Sequence, residues 1–135
     1  MKKQLIIFSA VLGLALILTA CGGGGASTKI DVTLTDFQFD PMEFTVPAGQ
    51  EITINATNEG AVLHEFVIFN YGKDAGESFG DEDEQNIFWE VEVEPGDSAT
   101  ETFVAPSQPG EYYITCGIEG HLEAGMVGKL IVVAE

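Results

Sequence analysis

From residue 29 onward, apolar and polar positions alternate with a period of two over several short stretches. Ile30, Val32 and Leu34 alternate with polar neighbours, and so do Ile52, Ile54 and Ala56. That period marks strands with one buried face. Between them, Pro41 and the segment Pro47-Ala48-Gly49 bracket a short extended piece, Glu43 to Val46. Five further runs are rich in β-branched and aromatic residues: Val62 to Phe69, Ile87 to Glu94, Ala99 to Val104, Glu111 to Cys116, and Val127 to Val133. Pro95-Gly96-Asp97 reads as a turn. Nowhere in this region do apolar residues recur at helical spacing over three turns. The pattern predicts an all-β domain of about seven or eight strands, read as antiparallel and folded as a two-sheet β-sandwich. Asn70 to Asn86 departs from it, being rich in glycine and acids up to Asp81-Glu82-Asp83-Glu84. A long surface loop or flap with at most a helical turn is expected there. The acids lack the spacing of a calcium-binding EF-hand loop.

The start of the chain has a different pattern. Lys2 and Lys3 precede a nearly unbroken apolar run from Leu5 to Leu18, the layout of a secretory signal peptide. The run is too short for a comfortable permanent span, and it ends in Leu18-Thr19-Ala20-Cys21-Gly22. That ending resembles the lipobox of bacterial lipoproteins, and the resemblance implies lipidation of Cys21 after cleavage just before it. Gly22 to Gly25 with Ala26, Ser27 and Thr28 then form a flexible tether. The expected organisation is a signal peptide at 1–20, a lipidated cysteine and tether at 21–28, and one domain at 29–135.

Composition narrows the range of functions. The 135 residues leave room for one domain, and an apolar fraction of 45% excludes disorder of the whole chain. With 22 acids, five lysines and no arginine, the net charge is −17. Such a chain is repelled by nucleic acid. Cleavage at Cys21 leaves three lysines against the same 22 acids, a net of −19. It also leaves Cys116 with no partner cysteine inside the domain, in a compartment where free thiols are uncommon.

That thiol lies in the segment Cys116-Gly-Ile-Glu-Gly-His121-Leu-Glu-Ala-Gly-Met126, a C-x4-H-x4-M spacing between the last two predicted strands. The chain has two histidines, and the other, His64, stands on a predicted strand. Two imidazoles, a thiolate and a thioether form the donor set of a blue copper site. Competing chemistries lack parts. His64-Glu65 starts like a zinc-protease motif, but Ile68 stands where the second histidine belongs. A nucleophilic Cys116 and His121 pair has no orienting third group. Structural zinc does not choose a thioether. Multicopper enzymes need histidines that this chain lacks, so no enzymatic activity is expected.

Through His64, Cys116, His121 and Met126, and through Gly-Met-Val-Gly leading into a final apolar strand, the chain resembles the cupredoxins from about Ile30 to Val133. The loop spacing is similar to that of azurin-like and auracyanin-like members. The resemblance implies a Greek-key sandwich holding one Cu(I)/Cu(II) ion for single-electron transfer, with His121 as the electron port. Ile118, Leu122, Ala124 and Gly125 would then form the docking patch, although Leu122 fits a core equally well. Where azurin and plastocyanin carry Asn after the strand histidine, this chain has Glu65. The expectation is that Glu65 pins the cysteine loop in its place, through Thr115. The acidity suggests a cationic redox partner such as a c-type cytochrome, or a membrane electron-transfer complex, and fits equally a solubility role. Localisation is expected outside the cytoplasm, on a membrane, periplasmic or at the cell surface. The alternative function on the same donors is a lipid-anchored protein that buffers or delivers copper.

Overall fold

The computed structural model describes residues 25–134. The expected signal segment and Cys21 lie outside the described residues. Among the described residues, nine strands form two sheets: β1 (Lys29–Thr35), β2 (Gln38–Asp40), β3 (Glu43–Pro47), β4 (Glu51–Asn58), β5 (His64–Phe69), β6 (Ile87–Val93), β7 (Ser98–Val104), β8 (Gly110–Thr115) and β9 (Val127–Val133). One sheet has the order β2-β1-β4-β7 and the other β3-β9-β8-β5-β6, so the chain crosses repeatedly between layers in a Greek-key sandwich. The alternation seen in the sequence is the burial pattern. In β4, Ile52, Ile54, Ala56 and Asn58 point inward while their neighbours do not.

Three details differ from expectation. The extra strand is β2, three residues with a single buried apolar position, Phe39, too short to show a period. The sheets are not purely antiparallel, because β1 pairs in parallel with β4 and β3 in parallel with β9. After β2 the chain turns at Pro41 and enters the other sheet as β3, so neither parallel pair is joined by a hairpin. The strand expected from Val62 starts at His64, and Val62 itself is exposed.

The core between the sheets is built from Leu34, Phe39, Ile52, Ile54, Phe66, Ile68, Ile114 and Leu130, all fully buried. Phe66 is met edge-on by Phe39 and Phe44, and Trp89 of β6 stacks on Phe103 of β7 at 4.8 Å to close one side. A second, smaller core lies on the outer face of the five-stranded sheet. There Val67 and Phe69 are covered by Ala75 and Phe79 of the 70–86 segment and by Leu122 of the cysteine loop. That segment is therefore a flap with an apolar underside. Its acidic run is exposed except for Asp83, whose carboxylate accepts the Gly80 amide ahead of one 3-10 turn, Glu84–Asn86.

Candidate metal centre

One end of the sandwich gathers the four candidate ligands. His64 opens β5, Cys116 directly follows β8, and Met126 directly precedes β9. The Thr115–Val127 pairing closes the neck of the intervening loop, and the Val67–Thr115 pairing sets β5 beside it. Inside the loop the main chain is bonded to itself. The Cys116 amide donates to the Met126 carbonyl at 3.1 Å, and the Met126 amide to the His121 carbonyl at 3.0 Å. The backbone of Met126 thus ties the other two loop residues together before any ion is considered.

The donors of His64, Cys116 and His121 converge on one point. The two Nδ1 atoms are 3.2 Å apart, and Cys116 Sγ lies 3.2 Å from Nδ1 of His121 and 3.9 Å from Nδ1 of His64. A point equidistant from three atoms so placed is about 2 Å from each, the length of a bond from a first-row metal to an imidazole. All three residues are buried, and Met126 is fully buried beside them with its thioether in the same core. One soft thiolate, two imidazoles and an available thioether fit copper better than zinc or a hard cation.

The surroundings tune these groups. Burial raises the Cys116 thiol above its ordinary range, so a metal must displace a tightly held proton. Burial and the neighbouring His64 lower His121, which keeps its imidazole neutral and able to ligate. His64 uses its other nitrogen, Nε2, on Asp36 Oδ1 at 2.8 Å. The Asp36 carboxyl is held below the usual range by the Ala61 amide and by His64.

The expected supporting residues are here with altered roles. The Thr115 hydroxyl donates to the Met126 and Cys116 carbonyls at 3.2 and 3.3 Å and not to Glu65. Glu65 acts through its main chain, its amide lying 3.4 Å from Cys116 Sγ. Its carboxyl lies over Gly117, where a Cβ would collide with it. Of the expected docking patch, Ala124 and Gly125 are exposed and Ile118 is half-buried, while Leu122 belongs to the second core. His121 shows only 7% of its surface. Two further residues touch the site. Phe37, 40% exposed, sets its ring edge-on to His121 at 4.6 Å, and Asp36 reaches His64. Both come from the β1–β2 turn, far from the ligands in sequence, and no local pattern marks them.

The family model for a cupredoxin-like domain matches residues 7–132. Auracyanin-A of Chloroflexus aurantiacus is 32% identical over an alignment of 158 positions, covering 96% of each chain. The copper-resistant cuproprotein CopI of Rubrivivax gelatinosus is 34% identical over 112 positions, covering 79% of this chain and 67% of that one. Among solved structures, dithionite-reduced auracyanin from Roseiflexus castenholzii superposes with a TM-score of 0.69 at 34% identity, covering 81% of this chain and 99% of that one.

Proposed function

Because the chain belongs to the cupredoxin-like family, we propose that it is a blue copper protein that carries one electron at a time between redox partners outside the cytoplasm. The observation that carries this reading is the convergence of both histidines of the chain and of Cys116 on one buried point. His64, Cys116 and His121 are the strong ligands, and Met126 is the weaker fourth donor. Bound copper supplies the change between Cu(I) and Cu(II).

The protein's part is to keep its donors still. Each is fixed by strand pairing or by the hydrogen-bonded loop, and each is shielded from water. A rigid, dry donor set leaves little to rearrange when charge changes, which keeps transfer fast. His121 shows a little of its surface beside the exposed Phe37 ring, with Ala124 and Gly125 exposed a few residues on in the same loop. We read this small apolar rim as the port where a partner docks briefly. Both histidines are committed to the one centre, so none is left for a second copper, and the role is that of a carrier without enzymatic activity. The lipobox-like Leu18 to Gly22 supports attachment of Cys21 to a membrane, which the mass of the mature N-terminus checks. Among the described residues no helix is long and apolar enough to cross a membrane.

Similarity to CopI supports a second reading, copper buffering or delivery on the same donors. Adding one equivalent of Cu(II) to wild type and to Cys116→Ser tests both. An electron carrier shows an intense visible band that bleaches on reduction, returns on oxidation and is absent in Cys116→Ser, and it retains the metal throughout. Release of the ion on reduction favours delivery, and a band indifferent to Cys116 removes the blue copper assignment.

A further inference from the structure

His64 is fully buried, and only one of its ring nitrogens faces the donor cluster. The other, Nε2, lies 2.8 Å from Asp36 Oδ1. A neutral imidazole has one N–H and one lone pair, and a carboxylate can only accept. The proton therefore sits on Nε2, and the lone pair on Nδ1 points at the site. Asp36 is itself anchored, its Oδ2 accepting the Ala61 amide at 2.9 Å. Asn58 holds that same loop, its amide group donating to the Val62 and Val93 carbonyls and its Oδ1 accepting the Gly60 amide.

A second observation points to the same pair. Gly60 lies against the Asp36–His64 hydrogen bond. A Cβ at this position would collide with Asp36 Oδ1 and come within 2.8 Å of His64 Nε2. Bare backbone covers the bond there, and any side chain would have to push the carboxylate and the imidazole apart.

We infer that Asp36 is a positioning residue of the copper centre, fixing the tautomer and orientation of His64 and placing a negative charge behind it that favours the oxidised ion. The inference rests on the copper reading above and goes beyond it, since the ligand set alone specifies neither the tautomer nor this charge. A carboxylate on the far nitrogen raises the basicity of a ligating histidine, and loss of such a partner typically weakens metal binding about 10- to 100-fold.

The test compares wild type with Asp36→Asn, Asp36→Ala and Gly60→Ala. In the copper-free protein, 15N NMR of the His64 ring should show Nε2 protonated in wild type and in Asp36→Asn, whose side-chain oxygen still accepts. Asp36→Ala and Gly60→Ala should show mixed tautomers. With copper, Asp36→Ala should bind Cu(II) about 10- to 100-fold more weakly while Cu(I) binding falls less, so its reduction potential rises. Asp36→Asn, keeping the hydrogen bond but not the charge, should also shift the potential upward. A merely structural role would weaken both oxidation states equally and leave the potential unchanged. Wild-type tautomer in Asp36→Ala, or wild-type potential in Asp36→Asn, overturns the inference. Failure of wild type to bind copper would instead defeat the copper reading, with the tautomer measurement still deciding whether Asp36 controls His64.

Discussion

Glu65 shows how one residue can serve a site and strain the fold. Its amide faces the Cys116 sulfur, while burial and the carboxylates of Glu90, Glu92 and Glu84 lift its carboxyl from 4.5 to about 7. Glu92 is its direct cross-strand partner, so like charges face each other across β5 and β6. In the unfolded chain this proton leaves near 4.5, whereas the folded, copper-free protein holds it to about 7. The folded state binds more protons in that window, so stability is full below it and drains as pH rises through 7. The group is half-buried, and after allowance for solvent screening the loss is on the order of 1 kcal/mol. Glu65→Gln should therefore unfold later in urea than wild type at pH 8 and together with it at pH 5. A gap of equal size at both pH values would mean that the carboxyl is not what titrates.

At the scale of elements, the cysteine loop is held from two sides. Its own main-chain bonds close it, and Leu122 locks it onto Val67, Phe69 and Ala75 under the acidic flap. Leu122→Ala should cost about 2–4 kcal/mol in denaturant unfolding, because the cavity opens between three elements that cannot all collapse inward. The flap should become protease-sensitive in the same variant, and a flap that stays protected would show that Ala75 and Phe79 suffice to hold it. This second core also explains what could be read beforehand. The ligands were legible because they crowd into one short segment and a lone strand histidine, and the sandwich was legible because β1 and β4 alternate cleanly. The flap's underside was not, since Ala75 and Phe79 are isolated apolar residues in a polar stretch with no period. Nor could Asp36 and Phe37 be placed, because only the pairing of β1 with β4 brings their turn to the ligand end. The parallel pairings escaped notice for a related reason, as alternation reports which face is buried and not which way a neighbour runs.

Over the whole molecule, charge is unevenly placed. Asp81, Glu84, Glu119 and Glu123 line a cleft beside Gly117 of the cysteine loop with no cation among them, whereas in another cleft Lys73 and Lys129 are balanced by Asp74 and Glu111. Such a field steers cationic partners toward the ligand end and is screened beyond about 8 Å at physiological salt. Electron exchange with a cationic redox protein should slow by roughly tenfold between low and physiological ionic strength. Reversing Glu119 and Glu123 to Lys should slow it more than reversing Glu51 and Glu101 on the four-stranded sheet, as stopped-flow rates would show. Equal effects from the two pairs would make the acidity a matter of solubility.

The direction of β1 also sets which way the molecule presents itself. The strand runs from Lys29 to Thr35, and the next residue already touches His64. Its seven residues span about 20 Å, so the chain enters the domain at the pole opposite the donors. Whatever holds the protein from upstream of residue 29, whether a bilayer or an electrode coating, grips it by the redox-silent pole. The conducting end then lies a full strand length, about 20 Å, from the point of attachment.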